Sequence, residues 1–236
     1  VLRGVDLLVE EGETLALLGP SGTGKSVLIK HAMGLLEPDE GDVIVDGISI
    51  ANATRKQLRK VRRSIGYVFQ NAALFDSLTV AENLWLAQTD EKEGKTLASC
   101  RAEGIELLQR VNLDAAVMDK YPSELSGGMR KRVGVARAIA HRPRYLLWDE
   151  PTTGLDPVNA DNIDELIMDM DRQLGVTSIV VTHDLDTAFE VGDRIALLFE
   201  GRVRAVATPA EILKSDDPVV SKFVRRSRVE ENAVTT

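Results

Sequence analysis

The run Gly19-Pro20-Ser21-Gly22-Thr23-Gly24-Lys25-Ser26 has the spacing G-x-x-x-x-G-K-[ST], and the chemistry of that spacing is phosphate binding. Glycines let the backbone curl until several N–H groups point inward, and a following helix N-terminus adds roughly half a positive charge at the same spot. Lys25 would reach the β- and γ-phosphates of a nucleotide, and the Ser26 hydroxyl would ligate Mg²⁺. Residues Gly19, Pro20, Ser21, Gly22, Thr23, Gly24, Lys25, Ser26 and Val27 are therefore the candidate nucleotide-binding set.

Further residues fit the same chemistry. Tyr145, Leu146, Leu147 and Trp148 lead into Asp149-Glu150, which puts two carboxylates at the C-terminal end of a short buried strand, where open α/β sheets bind ligands. Asp149 would hold the Mg²⁺ shell through water, and Glu150 would polarise an attacking water. A divalent cation between Asp149 and phosphate relieves the repulsion of two adjacent acids. Ser126-Gly127-Gly128 precedes the helical run MRKRVGVARAIA, a second place where N–H groups and a hydroxyl face outward. His183 follows the strand-like SIVVT, and neutral imidazole, which can accept or donate a hydrogen bond, suits a group that senses the γ-phosphate. His31 and His141 read as ordinary satisfied histidines. No asparagine is followed by lysine, so the guanine-reading Asn-Lys-x-Asp sequence is absent and ATP is the favoured nucleotide.

These residues need a sheet to hold them. Leu15 to Leu18 reads as a buried strand, the glycine loop breaks it, and a helix runs from near Lys25 to ahead of Pro38. Val5, Leu7 and Val9 alternate and Glu11-Gly12 supplies a turn, so Val1 to Leu18 reads as a hairpin. GDVIVDGISI gives two short strands around Asp46-Gly47. The basic run Arg55 to Arg63 is a solvated helix face, and Ser64 to Gln70 is again strand-like. From Asn71 to about Arg142 the pattern is helical, with Leu97, Ile105, Leu108 and Val111 on one packing face. Beyond it strands at 145–148, 178–182 and 195–199 alternate with helices, and a hairpin at Glu200-Gly201 and a helix from Pro209 finish the core. The last dozen residues are expected to be disordered or docked on a partner. The fold class is α/β: a P-loop core with a mainly parallel sheet, an N-terminal antiparallel β part and an inserted helical subdomain. The expected division is 1–70 and 143–217 for the core, 71–142 for the helical part and 218–236 for a tail.

Composition narrows the class. With 236 residues, 44% of them hydrophobic and 28% charged, the chain can bury a full core. A net charge of −8 argues against a nucleic-acid partner. Cys100 is the single cysteine, so a disulfide framework and a cysteine metal site are excluded. No apolar run approaches the roughly 18 to 20 residues that span a bilayer, so work at a membrane requires another chain.

Taken together, these motifs resemble the ATP-binding-cassette (ABC) ATPases over nearly the whole chain. Gln70 in YVFQ resembles the loop glutamine that touches Mg²⁺ and the attacking water, and LSGGM (Leu125 to Met129) resembles the family signature. TTGLDP, around Asp156, resembles the loop across which two subunits communicate, and His183 in VVTHD the switch histidine. The resemblance implies ATP and Mg²⁺ as ligands, Glu150, His183 and Gln70 as catalytic, and Ser26, Gln70 and Asp149 around the metal. It implies a head-to-tail dimer in which Ser126, Gly127 and Gly128 of one copy close over ATP held by the other, and an integral-membrane permease as partner at the cytoplasmic face of the inner membrane. Two departures stand out. The signature ends in Met129 where glutamine is commonest, and no aromatic residue precedes Tyr67, so either the adenine-stacking contact lies upstream of Val1, the preferred reading, or base recognition is loose. LSGGM with FQNAALFDSLTVAENL is similar to the Mla/Mce-type branch, which implies lipid transport and an MCE-type lipid-binding partner, with Phe75, Leu78 and Val80 receiving the permease. The alternatives are a polar-solute importer, for example of an amino acid, and a soluble ATP-switched assembly factor.

Overall fold

The computed structural model describes residues 1–88 and 96–225. Its short apolar runs share one six-stranded sheet. Their order is β4 (Ile65–Val68), β5 (Tyr145–Asp149), β6 (Thr177–Thr182), β1 (Thr14–Leu18), β7 (Arg194–Phe199) and β8 (Arg202–Ala207). The first five are parallel, and β8 returns antiparallel through Glu200 and Gly201, both at positive φ, as a two-residue hairpin requires. The ladder between β7 and β8 shifts register at Leu197/Leu198. β2 (Ile44–Val45) and β3 (Ile48–Ser49) form a separate antiparallel pair around Asp46-Gly47.

Strand periodicity of two sends neighbouring side chains to opposite faces, and both faces are covered. Leu15 and Leu17 pack with Ile29 of α1 (Lys25–Ala32), while Ala16 and Leu18 pack with Ala188 of α7 (Leu185–Val191). Leu146 and Trp148 face the cluster built by α5 (Gly127–Ile139) and α6 (Pro157–Leu174), and Leu147 faces the Ile29 side. Each such leucine or isoleucine contributes about 2 kcal/mol when fully buried. The parallel strands therefore deliver their C-terminal loops to one edge.

Several elements differ from the sequence expectation. Residues 1–13 form no strand: Leu2, Val5, Leu7 and Val9 pack onto the Ile29 cluster, but the segment joins no ladder. The basic helix α2 (Arg55–Ser64) is not only a solvated face, because Arg62 donates to the carbonyls of Met33 (3.0 Å) and Gly34 (2.7 Å) and so satisfies groups left open where α1 ends. α3 (Val80–Gln88) and α4 (Leu97–Arg110) lie in the helical stretch, where the buried face of α4 is Cys100, Gly104, Leu107 and Leu108, and Leu97 is 39% exposed. Residues 218–225 are helical, and Val220 and Val224 pack with Ile212 of α8 (Pro209–Leu213), so this part of the tail docks on its own core. The expectation for the final residues, 226–236, lies outside the described residues. Among the described residues no helix is long and apolar enough to cross a membrane.

Candidate nucleotide-binding site

Gly19 leaves β1 so close to β7 that a Cβ on it would sit 2.2 Å from the Leu198 carbonyl oxygen. Only glycine fits there. Gly24 adopts φ 105 immediately before α1, turning the loop into the helix. Lys25, 4% exposed, donates to the carbonyls of Gly19 (2.7 Å) and Pro20 (3.2 Å) and lies 3.5 Å from Glu150 Oε1. Burial pushes the Lys25 pKa down, opposed by the neighbouring Glu150 and Asp149.

Ser26 donates to Asp149 Oδ1 (2.6 Å), and the Tyr67 hydroxyl donates to Asp149 Oδ2 (2.7 Å). Burial, then the hydrogen bond to Asp149 and last the Asp149 charge, raise the Tyr67 pKa, so the phenol stays a donor. Ser26 and Asp149 offer hard oxygen donors of the type Mg²⁺ takes, which fits the metal to this pair. Glu150 takes φ 51 at the strand end, and its Oε2 meets Thr153 Oγ1 (2.8 Å) and His183 Nδ1 (2.8 Å). Burial would favour its neutral form, but the Thr153 hydroxyl, His183 and Lys25 outweigh it and hold Glu150 below the usual range. An ionised Glu150 can only accept, so the proton of this contact is on His183 Nδ1.

The strand register explains the convergence. Val68 pairs with Trp148, and Asp149 with Val181, so Gln70, Glu150 and His183 all lie just past the same sheet edge. Lys25, Ser26, Asp149, Glu150 and His183 are joined by direct contacts, and Gln70 lies exposed in the turn after β4. Ser126, Gly127, Gly128 and Asp156 form a second group. Ser126 caps α5 by accepting from Met129 N, Asp156 caps α6 by accepting from Asn159 N and Nδ2, and a Cβ on Gly128 would touch Asn159 Oδ1 at 3.5 Å. Residues 151–155 connect the two groups along the chain. His31 and His141 meet the carbonyls of Val27 and Ile65, in keeping with satisfied histidines.

Sequence reasoning missed Tyr67, Thr153 and Lys131, whose Nζ donates to the carbonyls of Pro151 and Thr153. Tyr67 gave one usable signal, a phenol in a buried strand that must find an acceptor. The other two gave none.

A glycine loop between strand and helix, with carboxylates at the neighbouring strand end, defines a phosphate-loop nucleotide-binding core. Residues 2–153 match the family model described as ABC transporter. The chain belongs to that family and carries its ATP-binding cassette. Over 229 residues it is 39% identical to the probable ribonucleotide transport ATP-binding protein mkl of Mycobacterium leprae (strain TN), covering 97% of this chain and 65% of that protein. It is 41% identical over 227 residues to the methionine import ATP-binding protein MetN of Caulobacter vibrioides, covering 96% of this chain and 68% of that protein. The chain thus spans less than two thirds of the length of the mycobacterial relative. Among solved structures it is similar to the dimeric ATP-binding cassette MJ0796 in a post-hydrolysis state bound to ADP and Pi, with TM-score 0.79 and 35% identity over 88% of this chain and 90% of that one. It is also similar to cbiO1 of Clostridium perfringens, with TM-score 0.81 and 31% identity over 98% and 91% of the two chains.

Proposed function

We propose that this chain is the ATP-hydrolysing subunit of a membrane transporter, working as a head-to-tail dimer with two interfacial ATP molecules. The observation that carries this reading is the contact set of Glu150, which places one ionised carboxylate between Lys25, Thr153 and His183 beside the phosphate loop. Gly19 to Val27 cradle the phosphates, and Lys25 exchanges its loop carbonyls for β- and γ-phosphate oxygens. Ser26, Asp149 and Gln70 would hold Mg²⁺, which would supply positive charge against the developing phosphate charge. Water attacks the γ-phosphorus as Glu150 takes its proton, the bond to the β–γ bridging oxygen breaks, and ADP leaves with that oxygen's charge. His183 reads the γ-phosphate by turning a ring N–H onto one of its oxygens, which only accept. Ser126, Gly127, Gly128 and Asp156 complete the site of the second copy.

The printed names of the relatives include ribonucleotide transport, methionine import and osmoprotectant import, and they support a polar-solute importer better than a lipid transporter. The lipid reading, with its MCE-type partner, rests on LSGGM and FQNAALFDSLTVAENL alone. In either case a permease would hold the chain at the cytoplasmic face of the inner membrane. Phe75, 56% exposed, and half-buried Leu78 are available to that permease, whereas Val80 is fully buried and belongs to the core. A complex purified from native membrane separates the two: a soluble solute-binding protein supports the importer, and bound phospholipid the other. Glu150→Gln should keep ATP binding and slow hydrolysis by at least ~10²-fold, the scale of a lost positioned base. Turnover at the wild-type rate would remove Glu150 from that role.

A further inference from the structure

The helix that begins at the signature also grips the catalytic turn. Lys131 sits one turn into α5, and its ammonium donates to two carbonyls of the segment after Glu150, those of Pro151 and Thr153 (2.8 Å to the latter). Thr153 in turn places its hydroxyl on Glu150 Oε2 at 2.8 Å. One residue is thus held by Lys131 through its carbonyl and holds the carboxylate through its side chain. The turn needs such a grip, because it starts from Glu150 at φ 51 and passes through Gly154 at φ 77, conformations that extended or helical neighbours do not enforce. From the opposite side Thr152 meets Thr187 (3.4 Å), whose hydroxyl donates to buried Asp164 (2.9 Å). The turn is therefore held by Thr187 on the α6 and α7 side and by Lys131 on the α5 side. Further along α5, Arg137 donates to the carbonyls of Ala73 (2.6 Å) and Ala72 (3.1 Å), just after Gln70. Burial lowers the Lys131 pKa, in keeping with an ammonium held by neutral carbonyls.

We propose that Lys131 is a positioning residue that couples the two ATP sites, transmitting the placement of the signature helix to the Glu150 carboxylate of the same chain. This rests on the head-to-tail reading, in which Ser126 of a chain contacts one ATP and Glu150 of that chain acts on the other. Closing the signature over one nucleotide would shift α5, and Lys131 would carry the shift to Thr153 and so to Glu150 at the second site.

The test measures ATP turnover against ATP concentration for the full-length subunit in its transporter complex, as wild type, Lys131→Met and Lys131→Arg. Lys131→Met should lower kcat by about 10- to 100-fold, the scale of misplacing a catalytic group by about 1 Å. Equilibrium ATP affinity should change less than about threefold on the same reasoning, because the phosphate loop is untouched. The Hill coefficient of turnover should fall to near one, and Lys131→Arg, which can still donate to both carbonyls, should restore most of kcat and the cooperativity. Thr153→Val should give a similar kcat and should not add to Lys131→Met in a double-mutant cycle. Equal losses of affinity and kcat, or wild-type kcat and cooperativity, would overturn the proposal. Should Lys131→Met fail to fold, Lys131→Gln takes its place with the same split expected. ATP-driven dimerisation tests the underlying arrangement separately: the Glu150→Gln subunit at saturating ATP should sediment as a dimer and the Glu150→Gln/Ser126→Arg subunit should not, and a Glu150→Gln subunit that stays monomeric rejects the head-to-tail dimer, whatever the Lys131 variants do.

Discussion

Glu150 is ionised and preset, at the cost of a left-handed backbone that a side chain rarely adopts. A weak base held in place is what proton removal from water needs, since geometry comes before basicity. Gly19 makes the reverse trade, giving up a side chain so that the loop can pass the Leu198 carbonyl. Gly19→Ala should weaken ATP binding at least ~10-fold, because a 2.2 Å contact with backbone cannot be relieved by a rotamer and must displace the loop or β7. Titration with a fluorescent ATP analogue checks this, and unchanged affinity would show that the loop yields. The glycines, Lys25 and Asp149-Glu150 were legible because phosphate chemistry fixes residue type and spacing together. Thr153 and Lys131 were not, because their roles depend on which carbonyl or carboxylate the fold brings near, and a threonine or lysine on a polar segment looks like any other.

At the scale of elements, periodicity located the strands of the parallel sheet well, since each is a buried apolar run ended by a polar or glycine-containing turn. The same rule overreached at residues 1–13. Alternation reports which side chains face the core, and Val5, Leu7 and Val9 do face it, but it does not say that the backbone finds a ladder partner. It was also loose at α4, where Gly104 lets Met118 approach and the apolar Leu97 stays outside. Local hydrogen bonding fixes the start of α2. Thr54 and Gln57 form a reciprocal capping box at the start of α2, on the surface and outside the nucleotide-binding residues. Thr54→Ala should cost about 1 kcal/mol, lowering Tm by about 2–4 °C while leaving ATP turnover unchanged. Thermal unfolding and a turnover assay check both halves of that statement.

Among the described residues, Asp164 is a buried acid that forms no ion pair with a cation. Asp164 is 3% exposed, and burial, with Glu190, Asp184 and Asp161 nearby, pushes its pKa up to about 7 despite the Thr187 hydrogen bond. The folded protein then binds this proton more tightly than the unfolded chain, whose carboxyl titrates near 3.8. Stability from this group is present at low pH and is lost as pH rises from about 4 to about 7. Asp164→Asn removes that titration, so Tm against pH should be flatter for the variant across this window, whatever its absolute stability, and parallel slopes would refute the assignment. The two margins of the sheet are protected in different ways. β4 lies buried under α2 and α5, while β8 is interrupted by its register shift, carries exposed Arg202 and Arg204, and is tied by Arg204 to Asp217. Neither border offers a free, straight, uncharged row of N–H and C=O groups to a neighbouring polypeptide, so fibril-like stacking of sheets is disfavoured.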